Sequence, residues 1–226
     1  MRPLSLVASL LSGRFWGAQE AAWRARRFDR LYGTDTIATM PVEAMLNAPA
    51  SLRQHAVHYE ASAIPKLYRA LDIVRSQLGE LVSDYSLVDF GSGKGLVAMI
   101  ASGCPFNRIY GLEMTPDLHA IAQRNVQAFL LKNPRAAPIS LHCMDALAFE
   151  LPAGNLVAYL YNPFGATLMK RMVRKLLDDS SPQRQVLVVY LNPVHRGLFD
   201  SDSRFATVHD DGALCVYRLV RIGAGI

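Results

Sequence analysis

From Tyr85 onward the chain switches between two rhythms of apolar residues. Short, nearly continuous apolar runs read as buried strands: YSLVDF (85–90), NRIYGLE (107–113), APISLHC (137–143), NLVAYLYN (155–162) and RQVLVVYLN (184–192). Between them lie segments with helical spacing, GLVAMIASG (95–103), TPDLHAIAQRNVQAFLL (115–131) and GATLMKRMVRKLLDD (165–179). Gly103 reads as a stop, and Thr115, Pro116 and Asp117 as a helix start in which Thr115 supplies the side-chain cap. The stretch RFATVHDDGALCVYRLV (204–220) alternates strictly on both sides of Asp211–Gly212, the signature of a hairpin. Strand alternating with helix predicts a doubly wound α/β fold: a mostly parallel seven-stranded sheet with a C-terminal antiparallel hairpin at one edge. Only about ten residues link YLNP to RFATV, leaving little room for another full helix.

Upstream of residue 80 the rhythm is helical throughout. Residues 12–31 place Phe15, Trp16, Gln19, Trp23 and Phe28 near one face and arginines on the others, a helix packing on the main body. YGTDTIAT (32–39) reads as a turn or loop, and PVEAML (41–46) as a short helix. ASAIPKLYRALDIVRSQLG (61–79) carries Leu67, Leu71, Val74 and Leu78 at helical spacing and ends at Gly79. This predicts an N-terminal helical extension over residues 1–80 and a main domain over residues 81–226.

Composition adds little until it is mapped. The 226 residues are 51% hydrophobic and 19% charged, ordinary for a globular chain. The net charge of +5 is concentrated at the start, where Arg2, Arg14, Arg24, Arg26, Arg27 and Arg30 face only Glu20 and Asp29. The rest is near neutral, so the sequence shows no basic face spread over the body as in a dedicated nucleic-acid binder. The opening MRPLSLVASLLSGRFWG is broken by Pro3, Ser5 and Ser9 and reads as a helix rather than a signal peptide. No run approaches the length of a membrane span. Cys104, Cys143 and Cys215 are scattered, which argues against a disulfide framework or zinc site and for buried free thiols in a reducing cytoplasm. His55 with His58, and His209 in HDDG, lack the partners of a metal site, so no metal is expected.

The chemistry is signalled in LVDFGSGKGLVAMIA (87–101), where Gly91, Gly93 and Gly95 follow Asp89 between a predicted strand and helix. Glycines there let the main chain approach a ligand and permit positive φ. A dinucleotide fingerprint would need glycine where Leu96 stands, and a P-loop would need glycine at Val88 and Ser or Thr at Gly95. Glu113, Asp145 in CMDAL and the YNPFG run (161–165) close the following strands, where ligands of open α/β sheets bind.

The pattern D-x-G-x-G-x-G resembles motif I of class I S-adenosylmethionine (SAM) dependent methyltransferases. More narrowly, RFDRLYGTDT, DFGSGKG, PFNRIYGLEMTPDLHAIAQRN and YLYNPFG resemble a bacterial group of largely uncharacterised methyltransferases, grouped loosely with lysine methyltransferases similar to Dot1. The resemblance implies SAM as cofactor and S-adenosylhomocysteine as product. It implies that Asp89, Gly91, Ser92, Gly93 and Gly95 hold the methionyl part, that Glu113 takes the ribose hydroxyls, and that Met114, Asp145 and Ala146 surround the adenine. Tyr59 matches a position where that group carries an aromatic near the cofactor. YNPFG resembles motif IV, [DNS]-P-P-[YF], with Phe164 replacing the second proline. Asn162, Pro163 and Phe164 would then align an amine or amide nitrogen with the methyl. The resemblance says little about the acceptor; a protein side chain or small molecule is favoured over nucleic acid. Two alternatives stay open: a SAM-binding module without turnover, and an RNA methyltransferase using the arginine arm.

Overall fold

The computed structural model describes residues 13–37, 64–179 and 183–220. PVEAML, Tyr59, His55 and His58 lie outside them. The elements run α1 (Gly13–Tyr32), α2 (Ile64–Leu78), β1 (Tyr85–Phe90), α3 (Leu96–Ala101), β2 (Arg108–Glu113), α4 (Pro116–Lys132), β3 (Ile139–Cys143), β4 (Asn155–Tyr161), α5 (Ala166–Asp178), β5 (Val186–Leu191), α6 (Gly197–Asp200), β6 (Phe205–Asp210) and β7 (Leu214–Leu219). Gly79 ends α2 at φ +57° and opens a 3-10 turn, Gly79–Asp84, that leads into β1.

Seven strands form a single sheet in the order β3-β2-β1-β4-β5-β7-β6. β1 to β5 are parallel, while β7 pairs antiparallel with both β5 and β6. This is the doubly wound arrangement with a terminal hairpin that the sequence predicts. β1 and β5 are buried along their whole length because helices cover both faces, which explains the unbroken apolar run of β5 and the nearly continuous one of β1, interrupted only by Ser86 and Asp89.

On one face Ala25 and Phe28 of α1, Leu67 and Leu71 of α2, Ile100 of α3 and Phe129 of α4 pack with Leu87, Ile109 and Val157. On the other, Met169, Met172, Val173 and Leu176 of α5 cover Val88, Phe90 and Val188. Each Val, Leu, Ile, Phe or Met side chain among them withdrawn from water contributes about 1.5–3 kcal/mol. The parts of residues 1–80 that are described thus share the core of the sheet.

Three local expectations are corrected. Trp23 is 52% exposed and does not share the buried face of Phe28. A stripe through Ala25 and Phe28 takes that face, leaving Trp23 on the far side of the helix. Thr115 makes no side-chain cap; its N–H instead donates to Oε1 of Glu113 at 2.7 Å. Among the cysteines only Cys215 is fully buried, and Cys143, at the end of edge strand β3, is exposed.

Candidate functional site

The loop after β1 is built almost wholly from main chain. Gly91, Gly93 and Gly95 all take positive φ, at +87°, +51° and +83°, conformations that side chains with a Cβ rarely adopt. The N–H groups of Gly91 and Ser92 both donate to the carbonyl of Leu112 at 2.9 Å. Gly93 N–H donates to Oε2 of Glu113 at 2.9 Å. The loop is therefore laced to the end of β2, and the buried Glu113 carboxylate serves both Gly93 and Thr115. A Cβ on Gly95 would sit 3.3 Å from Ala122, so that glycine also lets α4 close against the loop.

The same loop reaches β4. A Cβ on Gly91 would lie 3.2 Å from Cβ of Pro163, which puts the glycine turn against the Asn162-Pro163 turn. Asn162 holds φ +40°, and its Oδ1 is buried without a hydrogen-bond partner. Asn192, in the register position after Leu191 on neighbouring β5, repeats the pattern at φ +47° before Pro193. Phe164 is half-buried and packs against the cluster beneath α5. Its ring thus braces the turn from the core side.

Asp89 sits between Gly111 and Tyr159 in the strand register and is only 2% exposed. Its Oδ2 and the Oγ of Ser92 are buried with no partner. Loss of solvation, followed by the nearby charge of Glu113, pushes the Asp89 carboxyl up to about 8. A buried acid without a counter-charge is destabilising and uncommon away from functional sites.

The adenine-side candidates are more dispersed. Met114 is half-buried after β2. Asp145 is exposed, and its Oδ1 accepts from Leu147 N–H at 2.9 Å in a local turn. Ala146 is buried in the cluster with Phe149. Tyr59 is outside the described residues.

Two features escape the sequence reading. Gly111 lies inside β2, where a Cβ would come 2.6 Å from Leu141 Cδ2 and 3.1 Å from Ser92; a glycine within a strand pattern is the available sign of such a close approach. The second is a polar node behind the loop. Buried Lys94 pairs with Asp35 at 3.1 Å. Asn125 of α4 donates to the carbonyls of both Lys94 and Asp35 at 3.0 Å, and accepts from Asp35 N–H at 2.8 Å. Asp29 gathers Thr34 and the fully buried Thr36 around its carboxylate. The YGTDT segment is thereby fixed to the glycine loop.

Among the described residues no group of three His, Cys, Asp or Glu could hold a metal ion, and no helix is long and apolar enough to cross a membrane. No protein-family model matches the chain, and no curated protein matches it. Solved structures do. HI0767 of Haemophilus influenzae, named as a methylase, is 16% identical, with 70% of this chain and 100% of that one covered at a TM-score of 0.52. YhhF of Escherichia coli, named as a methyltransferase, is 16% identical over 68% of this chain and 87% of that one, TM-score 0.53. PH1948 of Pyrococcus horikoshii, named as an RNA methyltransferase, is 14% identical over 80% of this chain and 96% of that one, TM-score 0.51. Glycine loop, acidic strand ends and Asn-Pro turn therefore stand on the fold that these methylases share.

Proposed function

We propose that the protein binds SAM at the carboxyl ends of β1 to β4 and transfers its methyl group to an amine or amide nitrogen. The observation that carries this reading is the set of buried acceptor atoms left without partners around the glycine loop, Asp89 Oδ2, Ser92 Oγ and Asn162 Oδ1. Folded proteins match the large majority of such atoms, so a cluster of unmatched ones calls for a functional or bound-group explanation. The cationic amino-acid tail of a nucleoside fits the Asp89 and Ser92 oxygens, and the hydrogens of a methyl-accepting nitrogen fit Asn162 Oδ1. The unpaired Asp89 carboxyl offers a site for the amino group, the bare main chain of Gly91–Gly95 offers close approach, and the Glu113 carboxylate has acceptor capacity beyond its two backbone donors.

When bound, SAM supplies an electrophilic methyl on a positively charged sulfur. The chain's part is alignment and exclusion of water. Asn162 Oδ1, with the carbonyl of Pro163, accepts the hydrogens of the acceptor nitrogen and so directs its lone pair. The left-handed backbone at Asn162 aims that side chain, and Phe164 anchors the turn from beneath. Glu113 is placed for the ribose hydroxyls, and Met114, Asp145 and Ala146 for the adenine. Residues 13–37 pack on the cofactor loop through the Asp35–Lys94 pair. The separated cysteines suit a reducing cytoplasm.

The packing of Phe164 into the core favours a second reading, a SAM-binding module without turnover. Titration of S-adenosylhomocysteine by calorimetry, followed by labelled-methyl incorporation into protein, RNA and small-molecule fractions of a cell extract, separates the two. Binding with incorporation that is lost in Asn162→Gly is the expected result. Binding without incorporation leaves the module, and no binding at millimolar ligand overturns both.

A further inference from the structure

We infer that the outward side of α1, formed by Trp23, Arg26, Arg27 and Arg30, is a docking face for single-stranded nucleic acid. The inference begins with the corrected position of Trp23. Ala25 and Phe28 are buried, and the rings of Phe28 and Tyr32 lie 6.0 and 4.7 Å from that of Phe129. The apolar side of α1 is thus occupied by α4. Trp23, Arg27 and Arg30 follow one another at spacings of four and three residues, so they share the opposite side, with Arg26 beside them.

Trp23 is 52% exposed, and the Arg27 guanidinium lies 5.5 Å from its ring centre. Arg24 is paired with Glu20 at 2.7 Å. Arg26, Arg27 and Arg30 are exposed and make no ion pair with the described residues. An exposed indole beside unpaired guanidinium groups matches what a single strand presents, a base face to stack on and phosphates to neutralise. A lipid surface fits less well. Interfacial helices insert a continuous apolar face, and here Ala25 and Phe28 are buried. Leu31 O accepts from Lys132 Nζ at 2.6 Å, adding a cation at the end of α1. The chain then passes directly to Asp35, on Lys94 of the glycine loop. Docking does not depend on the methyl-transfer reading, but its use, delivering an exocyclic amine to Asn162, rests on it.

Fluorescence anisotropy with labelled 20-nucleotide single-stranded RNA and DNA, a matched duplex, and phosphatidylglycerol vesicles tests the assignment on the full chain. Either single strand should bind more tightly than the duplex, with affinity falling steeply as salt rises. The triple variant R26Q/R27Q/R30Q, in which glutamine preserves helix propensity, should lose at least tenfold in affinity. Its log–log salt slope should shrink by about 2, since each phosphate that an arginine neutralises on a single strand adds about 0.7. Trp23→Ala should weaken binding roughly tenfold while leaving that slope unchanged. Absence of strand binding, affinity unaltered in both variants, or preference for the duplex or vesicles would overturn the proposal. S-adenosylhomocysteine titrations on the same proteins should be unaffected. Strand binding without cofactor binding would remove the cofactor reading alone.

Discussion

The main-chain N–H of Gly93 donates to Oε2 of Glu113 at 2.9 Å, so the loop expected to hold the cofactor is itself held by the carboxylate expected to hold the ribose. On the proposed reading, one residue serves both the fold and the ligand. Glu113→Ala should weaken S-adenosylhomocysteine by about 1–3 kcal/mol and lower stability by a similar amount, because two buried N–H groups lose their acceptor. Glu113→Gln, which keeps an acceptor oxygen, should recover much of the stability and less of the affinity. Calorimetry and denaturant midpoints measure both quantities. An unaltered dissociation constant in Glu113→Ala would take this residue out of the binding site.

Asp89, by contrast, works against the fold. Its carboxyl is pushed up to about 8 by burial, against a usual value near 4. Below about pH 4 it is protonated in both folded and unfolded chains and has no effect. From pH 4 to 8 the unfolded chain has released the proton while the folded chain keeps it, so stability falls as pH rises, by at most about 1.4 kcal/mol per unit. Asp89→Asn should match the wild type at pH 4, exceed it in thermal midpoint at pH 8, and lose cofactor affinity. In the wild type, affinity for S-adenosylhomocysteine should increase with pH up to about 8 as the carboxylate becomes free to meet an amino group. A variant less stable at pH 8 would refute this account.

Asn162 can be tested without disturbing its backbone. Glycine accepts the φ of +40° that alanine would strain, so Asn162→Gly removes only the side chain. Turnover should fall by two orders of magnitude or more with cofactor affinity preserved, the signature of a group acting on the acceptor. Equal losses in both would mean that Asn162 holds the cofactor instead.

The glycines should divide by mechanism. Gly93→Val places a branched residue at φ +51° and should abolish S-adenosylhomocysteine binding in a chain that still folds. Gly111→Ala forces a Cβ to within 2.6 Å of Leu141 and 3.1 Å of Ser92. Leu141 can swing aside, but Ser92 moves only with the loop. Affinity should therefore drop further than stability, and adding Leu141→Ala should restore stability but not binding.

The sheet is readable in the sequence because its central strands are covered on both faces and appear as nearly continuous apolar runs, with β1 matching YSLVDF residue for residue. The glycine loop and the Asn-Pro turn are readable for a related reason, since unusual backbone demands unusual residues. What the sequence conceals is pairing across distance. Nothing in the neighbourhood of Asn125 announces that its amide spans from Lys94 to Asp35. Trp23 misleads because aromatic character suggests burial, while the small Ala25, with Phe28, marks the buried side.

β7 follows β6 in the chain yet lies inside it in the sheet, between β5 and β6. During synthesis the outer edge of β5 therefore stays bare, and β6 has nothing to pair with, until Leu214–Leu219 has left the ribosome. A nascent chain stalled just short of β7 leaves the outer edge of β5 open and β6 unpaired, each a template for pairing with other chains. Premature termination there should yield insoluble, chaperone-bound protein rather than a trimmed but folded one.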